Sequence, residues 1–465
     1  MIVMTLAEIA EAVGGRLTGP ADPGTRVTGP VEHDSRKAAP GGLFVAFTGE
    51  NADGHDYAPQ AFEAGAVAVL GSREVDGPAV VVPDVLTALG RLAREVVDRS
   101  PDLTVVGVTG SSGKTSTKDM LAQLCERLGP TVAPEGNLNN ELGLPYTVCR
   151  VDADTRYLVL EMGARGIGHI AYLCDIAPVD VAVVLNVGTA HIGEFGSADA
   201  IAVAKSELAA AVPAGGTVVL NGDDARVAAM ASVSRGDVVT YSTSDPDAPV
   251  HASDPESQEG RFSFTLHTPS GDAPVRLAVH GAHQMSNALA VAAVGDRLGM
   301  APGDIAAALG EVRARSGRRM DVFTRESDGI TVIDDSYNAN PASMAAALAG
   351  LTEVGRGRRK VAVLGYMAEL GDSETAAHEE VGRLAAEAGA ELVIVVEAVA
   401  ERIAAGAAAC GVATEVAADQ DEAIALLDEL SRPGDTVLIK ASRYRTWRVA
   451  DYLRSTHTLT KEAHA

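Results

Sequence analysis

A glycine-rich turn between an apolar strand and a helix is the feature that most constrains the fold of this 465-residue chain. Residues 103–110 read LTVVGVTG, residues 111–116 continue with SSGKTS, and residues 120–128 then place apolar side chains on one helical face. Backbone N–H groups of such a turn bind phosphate oxygens, while Lys114 neutralises charge and the Thr115 hydroxyl can bind Mg²⁺. The sequence therefore predicts a phosphate-binding α/β domain.

The turn is a variant of the nucleotide-binding pattern GxxxxGK[ST]. Val108 stands five positions before Gly113, where the strict pattern has glycine, and the nearest glycine is Gly107. An ordinary strand-to-helix turn is the alternative, but Gly-Lys-Thr at a strand–helix junction favours phosphate binding. The turn alone indicates a nucleotide, and it would equally suit a GTPase switch or a transport ATPase.

Apolar strands alternate with helices along most of the chain, which predicts the α/β class with mostly parallel sheets. The predicted strands are 43–47, 66–70, 79–82, 104–109, 157–162, 179–186, 217–221, 331–334, 360–364, 392–396 and 436–440. Because the chain is too long for one hydrophobic core, we expect three domains. These are an N-terminal domain (1–99), a central P-loop domain with a mostly parallel sheet (100–315) and a C-terminal Rossmann-like domain (316–465).

Two segments depart from this alternation. Residues 242–260 are rich in Ser, Asp, Pro and Glu, which predicts an irregular or strand-linking excursion. Residues 313–319 form a basic, glycine-containing turn after the alanine-rich helix predicted for 303–312. We expect the second domain boundary at this turn.

Composition limits the classes of partner. Apolar residues make up 46% of the chain and charged residues 22%, as in a globular protein, and the net charge of −25 argues against nucleic acid. The four cysteines have neither paired nor metal-binding spacing. The first residues lack the pattern of a secretory signal, and no uncharged apolar stretch reaches ~18 residues. We expect a cytoplasmic protein without membrane insertion.

Several further segments are similar to the central domain of the Mur ligases, which join amino acids or a dipeptide to UDP-N-acetylmuramic acid. They are TGSSGKTS (109–116), GNLNNELGLP (136–145), LEMGA (160–164), LNVGTAHIGEFGS (185–197), VAKSEL (203–208), NGDD (221–224) and GAHQMSNALAVAA (281–293). The resemblance extends to both ends of the chain. It implies an ATP-dependent ligase.

Within this family the chain most resembles the MurF type. The segments IDDSYNANPASM (333–344) and VLGYMAELGDSETAAHEEVG (363–382) carry that resemblance. The segments HDSR (33–36) and 43–70 look like the uridine-nucleotide module of MurE and MurF. Near the end, 434–453 resembles a segment usually read KGSR, in which Ala441 here replaces the glycine. That departure concerns only the local turn, because Lys440, Ser442 and Arg443 remain.

The resemblance implies roles for individual residues. In the ATP site, Asn287 would contact adenine, Asp335 the ribose and Arg319 the phosphates. The full set of residues implied in ATP binding is Gly110, Ser111, Ser112, Gly113, Lys114, Thr115, Ser116, Asn287, Arg319 and Asp335. The set implied in binding the UDP-linked substrate is Ser35, Arg36, Asn137, Asn139 and Asn140, and Tyr337 and Asn338 belong to the dipeptide region.

The resemblance also implies two Mg²⁺ ions and a modified lysine. Glu161 ends a predicted strand, where a carboxylate can share a metal ion with Thr115. His191 follows the strand 179–186, at the edge where open α/β sheets bind ligands. Lys205 corresponds to the lysine that Mur ligases carry as a carbamate, so Lys114, His191 and Lys205 are the expected catalytic residues. Each residue, taken alone, would also fit a purely structural role. Glu161 could be a structural glutamate at a strand end, His191 a surface or core histidine, and Lys205 a solvated lysine on a helix.

The implied reaction adds D-alanyl-D-alanine to UDP-N-acetylmuramoyl-tripeptide through an acyl phosphate, in peptidoglycan precursor synthesis. A monomer is expected. One alternative is another Mur-type or folylpolyglutamate-type ligase with the same ATP machinery and a different acceptor. A second alternative is a nucleotide-dependent switch without ligation chemistry, which would have no use for His191 or Lys205.

Overall fold

The computed structural model describes residues 1–188 and 192–462 and contains three α/β units along the chain. Each unit is built on its own sheet, of five, nine and six strands in turn. The predicted α/β class with three mostly parallel sheets is confirmed. In the part of the chain that is described, no helix is both long and apolar enough to cross a membrane.

The first unit carries a five-stranded sheet in the order β2-β7-β6-β5-β4, parallel except for β2. Helix α1 begins with a capping box, in which the Thr5 hydroxyl accepts from the Glu8 N–H and the Glu8 carboxylate accepts from the Thr5 N–H. The elements are β1 (Met4–Thr5), α1 (Leu6–Val13), β2 (Arg16–Thr18), β3 (Arg26–Val27), β4 (Val31–Glu32), β5 (Leu43–Val45), α2 (Ala58–Glu63), β6 (Ala68–Gly71), β7 (Ala79–Val81) and α3 (Val85–Asp98).

The second unit carries a nine-stranded sheet in the order β16-β15-β14-β13-β12-β11-β8-β10-β9. Pairing is parallel from β9 to β14 and antiparallel from β14 to β16. The elements are β8 (Thr104–Thr109), α4 (Lys114–Glu126), β9 (Thr131–Val132), α5 (Gly143–Val148), β10 (Tyr157–Glu161), α6 (His169–Ile176), β11 (Val181–Val184), α7 (Ile192–Phe195), α8 (Ala198–Ala211), β12 (Thr217–Asn221), α9 (Ala225–Ala228), β13 (Asp237–Ser242), β14 (Val250–Gln258), β15 (Arg261–Thr268), β16 (Gly271–His280), α10 (His283–Arg297) and α11 (Pro302–Glu311).

The prediction of an irregular excursion over residues 242–260 is wrong for the nine residues from Val250 to Gln258. Strand β14 occupies Val250–Gln258 and pairs with both β13 and β15. Its register shifts between Ser253 and Glu256, where Asp254 has a φ of 53°. A bulge tolerates a left-handed residue and a proline, and much of β14 is exposed, so a polar, proline-containing sequence is compatible with a strand here.

The third unit carries a six-stranded sheet in the order β17-β18-β22-β19-β20-β21, parallel except for β17. Helices separate the parallel strands, as predicted for a doubly wound unit. The elements are β17 (Asp321–Thr324), β18 (Thr331–Asp334), α12 (Pro341–Val354), β19 (Lys360–Leu364), α13 (Glu374–Glu387), β20 (Leu392–Val396), α14 (Glu401–Ala409), β21 (Ala413–Ala417), α15 (Gln420–Leu430), β22 (Thr436–Lys440) and α16 (Trp447–Glu462).

The units meet in different ways. One apolar core runs from the first unit into the second, where α3 packs against α5 and α6. Contacts between the second and third units include polar ones: Ser257 Oγ donates to Glu353 Oε2 at 2.7 Å, and the Gly193 N–H donates to the Glu369 carbonyl at 3.2 Å. Apolar burial therefore joins the first two units, whereas a polar cavity lies between the second and the third.

Candidate active site

The glycine-rich turn lies between β8 and the first residue of α4, Lys114. Gly113 has a φ of 81°, and a Cβ atom at this position would lie 2.7 Å from Asn287 Oδ1. A side chain would therefore be strained by its backbone and would collide with Asn287. This close approach places α10, which carries Asn287, directly against the phosphate-binding turn.

Hydrogen bonds fix the shape of the turn. The Ser112 N–H donates to Asn186 Oδ1 at 2.9 Å, and the Gly188 N–H donates to Ser111 Oγ at 2.9 Å. Lys114 Nζ folds back onto the Gly110 carbonyl at 2.7 Å. Burial lowers the pKa of Lys114, although the nearby Glu161 carboxylate acts in the opposite direction. The turn can thus present backbone donors and an ammonium group to phosphate oxygens.

Oxygen ligands for a magnesium ion meet beside the turn. Thr115 Oγ1 donates to Glu161 Oε2 at 2.8 Å, and Asn139 Nδ2 donates to Glu161 Oε1 at 2.7 Å. Glu161 is buried at the end of β10, as the sequence predicted. A hydroxyl and a buried carboxylate are hard oxygen donors that suit Mg²⁺. Within residues 1–188 and 192–462, no cluster of three or more His, Cys, Asp or Glu side chains could itself hold a metal ion.

Lys205 is buried on α8 and lines the same cavity. It is therefore not a solvated helix lysine, which was the alternative that the sequence left open. Its side chain forms neither a hydrogen bond nor an ion pair with any described residue. Burial lowers the pKa of Lys205 well below its usual value, and the neighbouring Lys114 lowers it further. Both effects disfavour the ammonium form of the side chain relative to the neutral amine.

The opposite wall of the cavity belongs to the third unit and the segment before it. Lys440, at the end of β22, donates to Asp335 Oδ2 at 2.5 Å and to the Asn338 carbonyl at 2.9 Å. The Arg319 guanidinium lies 4.2 Å from the centre of the Tyr337 ring. These groups bring positive charge and hydrogen-bonding atoms to face the glycine-rich turn.

These walls enclose a cavity of about 570 Å³. Of the predicted site residues that the structure describes, it brings together all except two. The predicted residues that line it are Gly110, Ser111, Ser112, Gly113, Lys114, Thr115, Ser116, Asn137, Asn139, Asn140, Glu161, Lys205, Asn287, Arg319, Asp335, Tyr337 and Asn338. Side chains from positions far apart in the sequence thus share one polar space.

Two predicted residues in the described part of the chain, Ser35 and Arg36, are not part of this cavity lining. Ser35 and Arg36 lie in a 3-10 turn of the first unit, where Ser35 Oγ donates to Gln60 Oε1 at 2.8 Å and Arg36 pairs with Asp34 at 2.7 Å. His191 lies outside the described residues. Ser35 and Arg36 therefore lie in the first unit, apart from the cavity. A substrate that contacted both these residues and the cavity would have to extend from one unit to the other.

Other cavity residues had no predicted role. Lys440 ends the last parallel strand, a position at which ligand-binding residues of open α/β sheets are expected, so its place was a usable signal. Arg165 lies in the glycine-rich loop that follows Glu161, and His169 begins α6 directly after that loop, which is the same kind of signal. His283 lines the cavity with its Nδ1 atom buried and without a hydrogen bond to any described residue. It lies in the segment 281–293 that resembles the Mur ligases, but no individual role was predicted for it.

Comparison with known protein families gives three matches along the chain. Residues 30–96 match the model described as "Mur ligase family, catalytic domain", residues 108–295 match "Mur ligase middle domain", and residues 318–443 match "Mur ligase, glutamate ligase domain". Each match falls on one of the three sheets.

Individual proteins agree with these matches. The chain is 47% identical to the UDP-N-acetylmuramoyl-tripeptide--D-alanyl-D-alanine ligase of Mycobacterium tuberculosis, over 95% of this chain and 96% of that one. The crystal structure of MurF from Acinetobacter baumannii matches with a TM-score of 0.87 at 32% identity, covering 97% and 99% of the two chains. MurF from Thermotoga maritima in complex with ADP matches with a TM-score of 0.80 at 30% identity, covering 93% and 99%.

Proposed function

Because the chain belongs to the Mur ligase family, we propose that it uses ATP to join D-alanyl-D-alanine to UDP-N-acetylmuramoyl-tripeptide in peptidoglycan precursor synthesis. One observation carries the proposal. On one wall of the cavity lie the phosphate-binding turn and Glu161. On the opposite wall lie Arg319, from the segment before the third unit, and Asp335 and Tyr337, from the third unit itself. ATP and a peptide carboxylate could both enter this space.

The first chemical step is phosphoryl transfer. A terminal carboxylate oxygen of the bound tripeptide attacks the γ-phosphorus of ATP, the bond to the bridging oxygen breaks, and ADP leaves with that electron pair. A carboxylate is a poor electrophile, whereas the resulting acyl phosphate carries a good leaving group. Lys114 and the backbone donors of the turn neutralise the phosphates, Arg319 contacts them from the opposite wall, and Asp335 and Asn287 hold the ribose and adenine.

The second step forms the amide bond. The dipeptide amine attacks the acyl carbon, a tetrahedral species forms, and inorganic phosphate leaves while the nitrogen loses a proton. Tyr337 and Asn338 lie on the wall that would receive the dipeptide. The residues of the two walls supply positioning and exclusion of water, because closure of the third unit over the second would bury the reacting groups.

Two Mg²⁺ ions are part of the proposal. The hydrogen-bonded hydroxyl of Thr115 and carboxylate of Glu161 would hold the first ion, and their oxygen chemistry fits it. A carbamate on Lys205, together with His191, would hold the second. Bound magnesium supplies neutralisation of the charge on the transferring phosphoryl group.

The surroundings of Lys205 support its carbamylation. A protonated lysine about 4 Å from Mg²⁺ would be repelled by several kcal/mol at an effective dielectric near 20, so an ammonium group cannot be the ligand. Reaction of the neutral amine with CO₂ releases a proton and leaves a negative carbamate with two oxygens. Lys205 is buried without a counter-ion among the described residues, which favours this chemistry.

The proposal assigns the uridine end of the substrate to the first unit. Ser35 and Arg36 would contact it there, and Asn137, Asn139 and Asn140 would guide the substrate toward the cavity that they line. The domain bounds 1–99, 100–315 and 316–465 are also proposed, supported by the three separate sheets. A monomer is also part of the proposal, and the nucleotide substrates suit a place in the cytoplasm.

Two alternative functions predict different behaviour of the same ATP site. A folylpolyglutamate-type or other Mur-type ligase would accept a different carboxylate or amine at the same ATP site. A nucleotide-dependent switch would hydrolyse ATP without either acceptor, and it gives no reason for the buried Lys205 beside Lys114. The arrangement of both lysines in one cavity favours ligation.

The test is ADP release by the purified protein. With UDP-N-acetylmuramoyl-tripeptide and ATP present, steady release should require D-alanyl-D-alanine, because only the amine discharges the acyl phosphate. Omission of the tripeptide should also stop it. Equal steady release without the dipeptide would contradict the proposal and favour the switch.

A further inference from the structure

Residues 312–320 connect α11 to β17 and carry Arg319 into the cavity. The backbone on both sides of Arg319 is left-handed, with φ values of 63° at Arg318 and 52° at Met320. Non-glycine residues keep this conformation only where their surroundings hold them. The position of Arg319 thus depends on what anchors the connecting segment.

The start of this segment is anchored to α4, the helix that begins at Lys114. Gln123 exchanges two hydrogen bonds with the backbone of Arg313, at 2.9 and 3.0 Å. Arg315 contacts the Glu126 carboxylate through two bonds of 2.5 Å. Both contacts are exposed, so water competes with them and each contributes little.

The third contact is buried. Asp119 Oδ2 accepts from the Ser316 N–H at 2.8 Å, and Asp119 Oδ1 accepts from Ser316 Oγ at 3.2 Å. Lys118 pairs with Asp119 and also donates to the Pro134 carbonyl at 2.9 Å. Lys118 and Asp119 are 2% and 5% exposed. A buried charge-assisted contact fixes geometry more firmly than the exposed pairs do.

The end of the segment is anchored to the third unit. Arg318 pairs with Asp451 on α16 at 2.9 Å, and its carbonyl accepts from the Tyr337 N–H at 3.2 Å. The Met320 N–H donates to Asp335 Oδ1 at 3.1 Å. Gly317 lies between the two sets of anchors, and a Cβ atom there would meet nothing within 4 Å.

We propose that Asp119, paired with Lys118, is a positioning residue that holds Ser316 so that Arg319 reaches the nucleotide phosphates. Asp119 lies one helical turn beyond Thr115, so α4 presents Lys114 and Thr115 to the phosphates at its start and Asp119 to the connecting segment. One rigid helix thereby sets the distance between the phosphate-binding turn and Arg319. The inference rests on the proposed function only in taking Arg319 to contact the phosphates.

A double-mutant cycle tests this coupling. The variants Asp119→Asn, Arg319→Ala and their combination are titrated with a non-hydrolysable ATP analogue, which requires no ligation. Each single change should weaken binding roughly fivefold to tenfold, and the combination should bind within about twofold of Arg319→Ala alone. A purely structural role of Asp119 would instead multiply the two losses, and that result would overturn the inference.

A second pair of variants keeps the test independent of stability, since removing one partner of a buried ion pair can unfold a protein. Ser316→Ala removes the hydroxyl contacts at the connecting segment and leaves the Lys118–Asp119 pair intact. Ser316→Ala should weaken binding of the ATP analogue less than Asp119→Asn does. In the Arg319→Ala background it should have no further effect on that affinity. The control Arg127→Ala removes an exposed contact to Glu311 from the residue directly after the same helix and should leave affinity unchanged.

The outcomes separate this inference from the proposed function. The inference is wrong if Arg319→Ala binds the analogue with normal affinity. It is also wrong if Ser316→Ala and Asp119→Asn each lower affinity as much in the Arg319→Ala background as they do in the wild-type protein. If the coupling appears but the wild-type protein forms no amide product, the inference holds and the proposed function fails.

Discussion

Thr115 Oγ1 on α4 donates a 2.8 Å hydrogen bond to Glu161 Oε2 at the end of β10, across 46 positions of sequence. The bond joins the helix that follows the phosphate-binding turn to the neighbouring strand β10. Because Asn139 donates to the other carboxylate oxygen, Glu161 is held in one orientation before any metal ion binds. A preorganised carboxylate loses less conformational entropy when it binds an ion.

Replacement of Glu161 by glutamine should raise the Mg²⁺ concentration needed for half-maximal activity. The amide keeps the size and the bond to Thr115 but removes the negative charge, so we expect a shift of roughly tenfold or more. The measurement is turnover against Mg²⁺ concentration at saturating substrates. Glu95→Gln, which alters an exposed pair with Arg99, is the control, and equal curves for the two variants would contradict the metal assignment.

Lys114→Ala should abolish most turnover while leaving the fold intact. One charge contact on a transferring phosphoryl group is typically worth ~10²–10⁵ in rate. The substitution leaves the Gly110 carbonyl without its lysine donor but removes no apolar core side chain. Turnover and the far-ultraviolet circular dichroism spectrum should be measured together, and near-normal turnover would remove the turn from the mechanism.

Lys205→Ala should lose most activity and retain ATP binding, because Thr115 and Glu161 still hold the first metal ion. Acetate at high concentration should partly restore turnover by placing a carboxylate where the carbamate would lie. Acetamide, which has the same shape and no charge, is the matched control and should not restore it. Full activity of the variant without any additive would mean that Lys205 has no chemical role.

Asp335→Asn should destabilise the third unit. Lys440 is 2% exposed, and the substitution removes the negative charge that compensates its ammonium group. Removing one partner of a fully buried pair costs about 3–5 kcal/mol, and because the Asp335 side chain is partly exposed the loss here should be smaller. Trp447, the one tryptophan in the sequence, begins α16 and reports urea unfolding of this unit by fluorescence. Glu380→Gln, which alters an exposed pair with Arg383, should leave the unfolding midpoint unchanged.

Local patterns predicted the strands and the glycine-rich turn well. Strands β8, β12, β18, β19, β20 and β22 begin and end where the sequence predicted. Each combines an apolar run with clear flanking breaks, and in a parallel sheet both faces are covered, so the signal is continuous. Asp335 directly follows β18, and Glu161 ends β10, so each could be placed in advance at the carboxyl edge of its own sheet.

Contacts that depend on tertiary structure could not be predicted. Strand β14 is polar and exposed, and only its pairing partners make it a strand. The pairing of Asp335 with Lys440 spans 105 positions, and that of Asp119 with Ser316 spans 197. No local pattern specifies such pairs. Similarly, the separation of Ser35 and Arg36 from the cavity follows from how the first unit packs on the second.

The mass of the nucleotide product tests the central claim most directly. The purified protein is incubated with UDP-N-acetylmuramoyl-tripeptide, D-alanyl-D-alanine, ATP and Mg²⁺, and the UDP-linked species are weighed by mass spectrometry while ADP is quantified in parallel. The account predicts a UDP-linked product heavier by one dipeptide less one water, formed in equal amount to ADP and absent with Lys114→Ala. ADP that accumulates while the UDP-linked species keeps its mass would contradict it.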